Sequence, residues 1–274
     1  MKSSRRQPLP QPTCRGGPRV RPLVVLSCLL VILLLPTGCK KQDASLSQVQ
    51  RAGVLRVGID PSWPPFESVD AASGELVGLD VDLARAIGSK LGVQVSFVYS
   101  GWEGLYEALA AGQFDAILSA LPYDEWRTQE AAYSISYFNA GPVIAVAADQ
   151  AAVSRAKDLA GRAVHVELGS EGDVQARRLR LKIDLQEIVT HTSAQEALTA
   201  LRDDPNGAAI VDAVSARLFI REPGGLRIVG EPLYDELYVV AVSVRAQSLR
   251  QAIDATLIEM RESGELAALL DRWL

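Results

Sequence analysis

The segment "LDVDLARAIGSKLGVQVSFV", residues 79 to 98, carries the clearest indication of the fold class. Its apolar residues recur at spacings of three and four, which predicts a helix over residues 79 to 91. The predicted buried face consists of Leu79, Leu83, Ala86, Ile87 and Leu91. Asp80 and Asp82 stand in the first turn, where the helix dipole favours acidic side chains. The alternating "VQVSFV" that follows predicts a strand, and "VLRVGI", residues 54 to 59, predicts another before the helix. A strand, a helix and a second strand in this order are typical of α/β domains with a parallel sheet.

The same alternation continues to the end of the chain. "WEGLYEALAAG" predicts a short helix that ends at Gly112, and "FDAILSAL" predicts a third strand. A second set begins near residue 143, with predicted strands "PVIAVAA", "RAVHVELG", "LQEIV" and "GAAIVDAV" and predicted helices at 171 to 181, at 193 to 202 and on to Phe219. The strand "ELYVVAVSV", residues 236 to 244, and two C-terminal helices complete the pattern. Two α/β lobes are therefore expected, with a return of the chain at the C-terminal end.

The first 38 residues have the composition of an export signal. They contain six basic residues and no acidic one, followed by an uncharged apolar run from Leu23 to Leu35 that is short for a membrane span. The run ends in "LLLPTGCK", in which small residues precede Cys39, as in a lipoprotein cleavage box whose cysteine becomes lipidated. Pro36 stands where such boxes usually carry leucine, so an uncleaved N-terminal anchor is the alternative. Both interpretations place the folded part outside the cytoplasm, and residues 39 to 50 are predicted to be a polar tether.

Charge, cysteine and histidine content argue against several function classes. Setting aside the six basic residues of the signal leaves 22 basic residues against 33 acidic ones, a net charge near −11, which disfavours nucleic acids and anionic lipid surfaces as partners. Cys39 is the only cysteine after the signal, so no internal disulfide is expected. His165 and His191 stand far apart in the chain with no cysteine to complete a metal set. The sequence also lacks a G-x-S-x-G elbow and a glycine-rich phosphate loop. We therefore expect no metal, no other cofactor and no catalytic residue.

Polar and aromatic residues follow several of the predicted strands. In "DPSWPPFES", residues 60 to 68, the prolines prevent the first strand from continuing and hold the loop extended. Open α/β sheets bind ligands at the carboxyl ends of their strands, which is where this loop begins. The candidate site residues that share such positions at strand or helix ends are Asp60, Trp63, Trp102, Ser119, Arg127, Ser170 and Asp212.

These blocks, taken in order, resemble a known protein family. "DPSWPPFES", "GELVGLDVDLARAIGSKLGVQVSFV", "WEGLYEALAAGQFDAILSALPYDEWR", "VHVELGSEGD" and "AAIVDAVSA" resemble the blocks of the periplasmic amino-acid-binding proteins of ABC importers, solute-binding protein family 3. The resemblance covers residue 50 to the C-terminus and is strongest to the histidine and lysine/arginine/ornithine binders. It implies an α/β fold of two lobes joined by crossing hinge strands near residues 139 to 145 and 231 to 240, which close on the ligand.

The resemblance also implies a role for each candidate. Arg127 matches the position that binds the ligand α-carboxylate, and Asp212 matches the position that binds the α-ammonium. A guanidinium matches a carboxylate bidentately and an aspartate accepts from an ammonium, so the chemistry fits a zwitterion. Ser170 matches a Ser/Thr of the carboxylate site, and by itself it reads equally well as a helix N-cap. Trp63 and Trp102 match the walls of the side-chain pocket.

Two further candidates are Asp60, which follows the first predicted strand, and Ser119, which lies at the end of the third. Asp60 matches the position that meets the cationic end of a basic ligand, and it also reads as a turn-capping aspartate. Ser119 belongs to the same lobe as Asp60. Three residues depart from the family pattern: Pro122 replaces a Ser/Thr donor, Asp124 replaces a common threonine and stands where it can pair with Arg127, and Ala120 replaces a frequent Ser or Gly.

The sequence therefore predicts an extracytoplasmic substrate-binding lipoprotein of an ABC importer, located in the periplasm or on the outer face of the cell membrane. Its predicted partners are a polar, cationic amino acid, an ABC permease and, through Cys39, the membrane, and we expect a monomer. The predicted divisions are the signal at residues 1 to 38, the tether, lobe 1 at 51 to 142 plus 233 to 274, and lobe 2 at 143 to 232. Two alternatives stay open: an exported dehydratase-like enzyme on the same fold, with Glu67, Glu171 or Asp124 as its acid, and a sensory module that works through a separate signalling partner.

Overall fold

The computed structural model describes residues 43–221 and 225–274, so the predicted signal and Cys39 lie outside the described residues. Strands and helices alternate along most of this part of the chain, which confirms the mixed α/β class. The strands are β1 (Val54–Ile59), β2 (Ser62–Trp63), β3 (Glu67–Val69), β4 (Leu76–Val77), β5 (Gln94–Tyr99), β6 (Ala116–Ile117), β7 (Ala131–Asn139), β8 (Pro142–Ala147), β9 (Ala163–Glu167), β10 (Glu187–His191), β11 (Ala208–Asp212), β12 (Leu226–Val229) and β13 (Leu237–Ser243). The helices are α1 (Ser45–Ala52), α2 (Leu79–Leu91), α3 (Leu105–Ala110), α4 (Glu171–Arg180), α5 (Ala194–Asp203), α6 (Ala213–Arg221), α7 (Gln247–Glu262) and α8 (Glu265–Trp273).

The first five-stranded sheet has the order β5-β1-β6-β13-β7. Strand β1 pairs in parallel with β5 and β6, as the strand–helix–strand pattern predicts. Strands β13 and β7 pair antiparallel, so the sheet is mixed rather than purely parallel. The third predicted strand shortens to Ala116–Ile117, and Pro122 forms an isolated antiparallel bridge with Tyr238. The hydrogen bonds of this bridge run between Tyr123 and Leu237 and between Val239 and Leu121, so the missing N–H of Pro122 does not disturb it. This arrangement brings the carboxyl end of β1 and the segment after β6 to one edge of the sheet.

The second five-stranded sheet has the order β10-β9-β11-β8-β12, with β9 parallel to β10 and β11 and with β8 antiparallel to β11 and β12. The chain enters this sheet after Asn139 and returns to the first sheet before Leu237. The two connections run side by side, since the Ala140 N–H donates to the Glu236 carbonyl at 2.8 Å and the Leu233 N–H donates to the Pro142 carbonyl at 2.8 Å. The exact lobe boundaries, and a hinge at this crossing, stay predictions.

Helix α2 packs against the first sheet through the face that its spacing predicts. Leu79, Leu83 and Ile87 are fully buried, and Ala86 and Leu91 pack against the same core. Gly78, which precedes the helix, has a φ of 141°, and a Cβ there would lie 2.0 Å from the Phe66 carbonyl oxygen. Glycine at this position therefore lets the helix start directly against the loop that follows β1.

Residues 45 to 50 differ from the predicted tether, because they belong to helix α1. Val49 is buried, and the Ser45 hydroxyl lies 3.0 Å from the Ser248 hydroxyl at the start of α7. The Asp43 carboxylate accepts the backbone N–H of Ser248. A segment of polar composition is thus anchored by two apolar residues, Val49 and Leu46, and by side chains that cap α7. In the described ranges, no helix is long and apolar enough to cross a membrane.

Candidate functional site

A cavity of about 360 Å³ opens at the carboxyl end of β1. The residues that line it are Asp60, Ser62, Trp63, Glu67, Trp102, Ala120, Pro122, Glu236 and Tyr238. They come from the loop after β1, the segment after β6 and the return connection before β13. Of the seven sequence-predicted residues, the structure brings Asp60, Trp63 and Trp102 together in this lining.

Asp60 is fixed by its neighbours and has no cationic partner among the residues that the structure describes. One carboxylate oxygen accepts the backbone N–H of Trp102 at 2.8 Å, and the other accepts the Ser62 hydroxyl at 2.8 Å. Trp63 and Trp102 are 59% and 45% exposed, so large parts of both rings face the open cavity. A carboxylate beside two exposed indole rings has the composition of a cation-binding corner.

Ser119 lies behind this corner rather than in its lining. Its side chain is completely buried; its hydroxyl accepts the Asp60 backbone N–H at 3.0 Å and donates to Glu67 Oε1 at 2.7 Å. It therefore links the end of β1 to Glu67. No contact with a ligand is needed to explain its position.

Glu67 and Asp80 form a buried pair of carboxyl groups beneath the cavity. Both side chains are completely buried, and Glu67 Oε2 and Asp80 Oδ1 have no hydrogen-bond partner among the described residues, apart from the proton that the two carboxyls can share. Burial, together with the negative charge of Asp80, raises the pKa of Glu67 to about 10. Burial also raises the pKa of Asp80. Two adjacent buried carboxyls cannot both ionise at low cost, so the pair retains a proton at neutral pH.

Asp80 also holds the cavity wall in place. Its Oδ2 accepts the Ala120 backbone N–H at 2.5 Å and the Tyr137 hydroxyl at 2.9 Å. Ala120 has a φ of 44°, which is uncommon for a residue with a Cβ. The carboxylate therefore stabilises a backbone conformation that places Ala120 and Pro122 in the lining.

Arg127 is not among the residues that line the cavity. Its guanidinium pairs with Glu130 at 2.9 Å and with Asp124 at 3.7 Å, and it lies over the Tyr106 ring at 4.5 Å from the centroid. The predicted contact between Arg127 and Asp124 is therefore present. A ligand carboxylate would have to compete with two protein carboxylates for this arginine.

Ser170 and Asp212 also lie outside the cavity lining, and each caps a helix. The Ser170 hydroxyl accepts the Asp173 N–H at 3.2 Å and donates to the Glu167 carbonyl at 2.8 Å at the start of α4. Asp212 Oδ1 accepts the Ser215 N–H at 2.8 Å at the start of α6. Both predicted ligand roles stay predictions, and the capping role of Ser170 is observed.

Glu236 and Tyr238 are lining residues that sequence reasoning did not single out, and Glu67 was considered only as an acid for the enzyme alternative. Glu236 precedes β13 and is half-buried. Burial raises the pKa of Glu236, and the negative charges of Asp212 and Glu171 raise it further. The alternation of "ELYVVAVSV" predicts the strand, but it does not tell which of its first residues faces a cavity.

The structure also places two histidines side by side that are far apart in the sequence. His165 Nδ1 lies 3.0 Å from His191 Nε2 in the second sheet. His165 Nε2 lies 3.5 Å from Asp204 Oδ2. In the described ranges, no group of three or more metal-ligating side chains is assembled.

Comparison with known proteins identifies the family. Residues 55–274 match the model of the bacterial extracellular solute-binding proteins, family 3. Because the match covers most of the chain, this protein belongs to that family.

The curated relatives are binding proteins of moderate identity. The L-cystine-binding protein TcyJ of Escherichia coli is 25% identical over 233 residues, which cover 84% of this chain and 86% of that protein. The histidine-binding periplasmic protein of Salmonella typhimurium is 29% identical over 80% of this chain and 86% of that protein. The L-arginine-binding protein of Pseudomonas aeruginosa is 29% identical over 80% of this chain and 87% of that protein.

Solved structures agree with the fold. An ancestral cationic amino acid solute-binding protein is 28% identical, covers 84% of this chain and 99% of its own, and superposes with a TM-score of 0.61. An ancestral cyclohexadienyl dehydratase superposes with a TM-score of 0.73 over 83% of this chain and 95% of its own, at 24% identity. At that identity the second likeness concerns the fold alone.

Proposed function

We propose that this protein is the substrate-binding lipoprotein of an ABC importer and that it binds a polar, cationic amino acid outside the cytoplasm. The observation that carries the proposal is the composition of the cavity. Asp60 and Glu236 contribute carboxylates, while Trp63, Trp102 and Tyr238 contribute aromatic rings. No basic residue stands among the lining residues, so a cationic ligand would supply the missing charge.

We assign the remaining contacts of a bound amino acid from the family positions that residues of this chain match. Arg127 would bind the α-carboxylate after giving up part of its pairing with Glu130 and Asp124. Asp212 would bind the α-ammonium and Ser170 would add to the carboxylate site. For these residues to reach a ligand on Asp60, the two sheets must approach each other about the crossing connections. Ligand would then shift an open–closed equilibrium, because only the closed form touches it from both sides.

The relatives support a basic amino acid as the starting hypothesis. Two of the curated relatives are named for binding histidine and arginine, and one solved relative is named for cationic amino acids. A third curated relative is named for cystine, which carries no net charge at neutral pH, so the ligand screen must include neutral amino acids as well.

Membrane anchoring through Cys39 is part of the proposal and rests on the sequence pattern. Cells that express the wild-type chain should incorporate labelled palmitate into it, and the Cys39→Ser variant should not. Equal labelling of both chains would contradict acylation at Cys39. No labelling of the wild type, with its N-terminal residues retained, would favour the uncleaved N-terminal anchor.

The binding role is tested with residues 43 to 274, which form one compact unit. A ligand that binds only the folded state raises the melting temperature. We expect a rise with at least one of arginine, lysine, ornithine and histidine, and a smaller rise or none with glutamate. No rise with any amino acid would contradict the proposal.

We rank the binding role above the dehydratase alternative because of the surroundings of Glu67. Of the three acids considered for such an enzyme, Glu67 alone is among the residues described as lining the cavity. One of its oxygens accepts from Ser119, and the carboxyl faces the acceptor oxygens of Asp80, which compete for its proton. Incubation with cyclic hydroxy acids, followed by chromatography for dehydrated product, tests the alternative directly.

A further inference from the structure

Glu236 is held in the cavity wall by a rigid backbone. Its N–H donates to the Asn139 side-chain oxygen at 3.1 Å, and its carbonyl accepts the Ala140 N–H at 2.8 Å. Asn139 ends β7, and Ala140 begins the opposite crossing connection. The Asn139 amide nitrogen in turn donates to the Asp235 carboxylate at 2.8 Å. The side chain of Glu236 therefore starts from a fixed point between the two sheets and is directed into the cavity that also contains Asp60.

The charges around Glu236 are predominantly negative. Asp212 at the end of β11 and Glu171 at the start of α4 both raise its pKa. Glu171 is partly neutralised, since it accepts from Gln175 at 2.5 Å and lies 3.8 Å from the Arg178 guanidinium.

The other titratable groups facing this part of the cavity are Asp60, the Tyr238 hydroxyl and the buried Glu67. In the described part of the chain, the carboxylates of Glu236, Asp60 and Asp212 form no ion pair with a lysine, arginine or histidine.

Three part-buried carboxylates without a cationic partner, two of them in one cavity, favour a solute that brings positive charge. One cation on Asp60 would leave the electrostatic repulsion between Glu236 and Asp212 uncompensated. A second cation placed between Glu236 and Asp212 removes this repulsion, whereas a solute that carries only one cation cannot neutralise both ends.

We infer that Glu236 is the second cation-binding group of the cavity and that the solute therefore carries two ammonium or guanidinium groups, one on Asp60 beside the tryptophans and one on Glu236. The inference rests on the proposed function, since it refines the ligand of the same site. It covers basic amino acids and aliphatic diamines. Both classes of solute offer two cations. Diamines lack a carboxylate, but Arg127 does not need one from the ligand, because Asp124 and Glu130 already neutralise its charge.

The test is isothermal titration calorimetry of residues 43 to 274 with lysine, with cadaverine, which lacks the carboxylate, and with norleucine, which lacks the side-chain ammonium. Glu236→Gln removes the charge at nearly constant shape. Glu231→Gln makes the same substitution at an exposed position of the same connection and is the matched control. We expect lysine and cadaverine to bind the wild type and norleucine to bind more weakly. Glu236→Gln should lower the affinity for lysine by about tenfold or more, and Glu231→Gln by less than about twofold, since only the former charge is partly desolvated.

A proton-linkage measurement separates this role from a structural one. Because a nearby cation favours the ionised form of Glu236, lysine binding at about pH 5 should release protons, which is measured as a dependence of the observed enthalpy on the ionisation enthalpy of the buffer. The dependence should shrink in Glu236→Gln and persist in Glu231→Gln. Melting temperatures of the free proteins show whether each variant is folded.

The outcomes distinguish this inference from the proposed function. If lysine binds the wild type and both variants equally, the second cation site is refuted and the proposed function stands. If norleucine binds as tightly as lysine, the second cation site and the cationic character of the ligand are both refuted, and only the binding of an amino acid stands. If cadaverine does not bind the wild type and no amino acid of the melting-temperature screen binds it either, both are refuted.

Discussion

Replacing Glu67 with glutamine should make the stability of the protein less sensitive to pH. In the structure, Glu67 Oε1 accepts from Ser119 at 2.7 Å, and the other oxygen faces Asp80 without a donor other than a shared proton. A glutamine amide reproduces this arrangement, since its carbonyl can accept from Ser119 and its NH₂ can donate to Asp80. The substitution therefore imitates the protonated carboxyl.

The direction of the effect follows from the raised pKa. The pKa of Glu67 is about 10 in the folded protein and near 4.5 in the unfolded chain. Between these values the folded state holds a proton that the unfolded state has lost, so the free energy of unfolding is largest at low pH and falls as pH rises through this window. One proton corresponds to about 1.4 kcal/mol per pH unit. Between pH 6 and pH 8, Glu67 should therefore lower the free energy of unfolding of the wild type by about 2 to 3 kcal/mol. The glutamine variant should not show this decrease.

Urea unfolding of residues 43 to 274 at pH 6 and pH 8 measures the difference. Glu75→Gln, an exposed glutamate of the same loop region, is the control and should follow the wild type at both pH values. The reasoning is refuted if Glu67→Gln shows the same loss between pH 6 and pH 8 as the wild type, because Glu67 would then be ionised in the folded protein.

Three further predictions concern the site and the crossing connections. Arg127→Ala should weaken amino acid binding by about 2–5 kcal/mol if the guanidinium binds the α-carboxylate, and a loss below about tenfold in calorimetry would mean that it stays paired with Glu130 and Asp124. Asp60→Asn should lower the affinity for lysine at least about tenfold more than that for glutamine, since only lysine brings a second cation, and equal losses in a titration would contradict a charge-selective role. Gly141→Ala should lower the free energy of unfolding by about 2 kcal/mol or more, because a Cβ there would lie 1.8 Å from the carbonyl oxygen of residue 234, and an unchanged urea midpoint would show that the crossing connections separate easily.

The sequence predicted the elements whose residues interact locally. Helix α2 and strands β1 and β5 follow from periodicity, because helix and strand spacing determine which side chains share a face. Strand β7 was not predicted, and β13 was not assigned its antiparallel partner. That pairing joins residues about 100 positions apart in the chain, so no local pattern reports it.

The candidate site was predicted in part for the same reason. Asp60, Trp63 and Trp102 follow or precede regular elements, and strand ends of a parallel pair meet at one edge. Glu236 enters the cavity only through the return connection. The burial of Glu67 depends on Asp80, which sequence reasoning had assigned only to a helix N-terminus.

Long-range contacts explain the remaining differences. The polar segment before β1 forms helix α1 because Val49 packs into the hydrophobic core. Its Ser45 hydroxyl also contacts the hydroxyl of Ser248, which lies about 200 residues away in the chain. His165 and His191 meet because β9 and β10 are parallel neighbours. Neither contact has a signal in the composition of the segments involved.

The central claim is that the cavity binds a cationic amino acid beside Trp63 and Trp102. Its most direct test is a titration of tryptophan fluorescence with lysine, arginine, ornithine and histidine in parallel with glutamate, at equal ionic strength, in the wild type and in Asp60→Asn. We expect a saturable change with at least one basic amino acid, no saturable change with glutamate, and a weaker response to the basic amino acid in the variant. Binding of glutamate as tight as that of the best basic amino acid would contradict it.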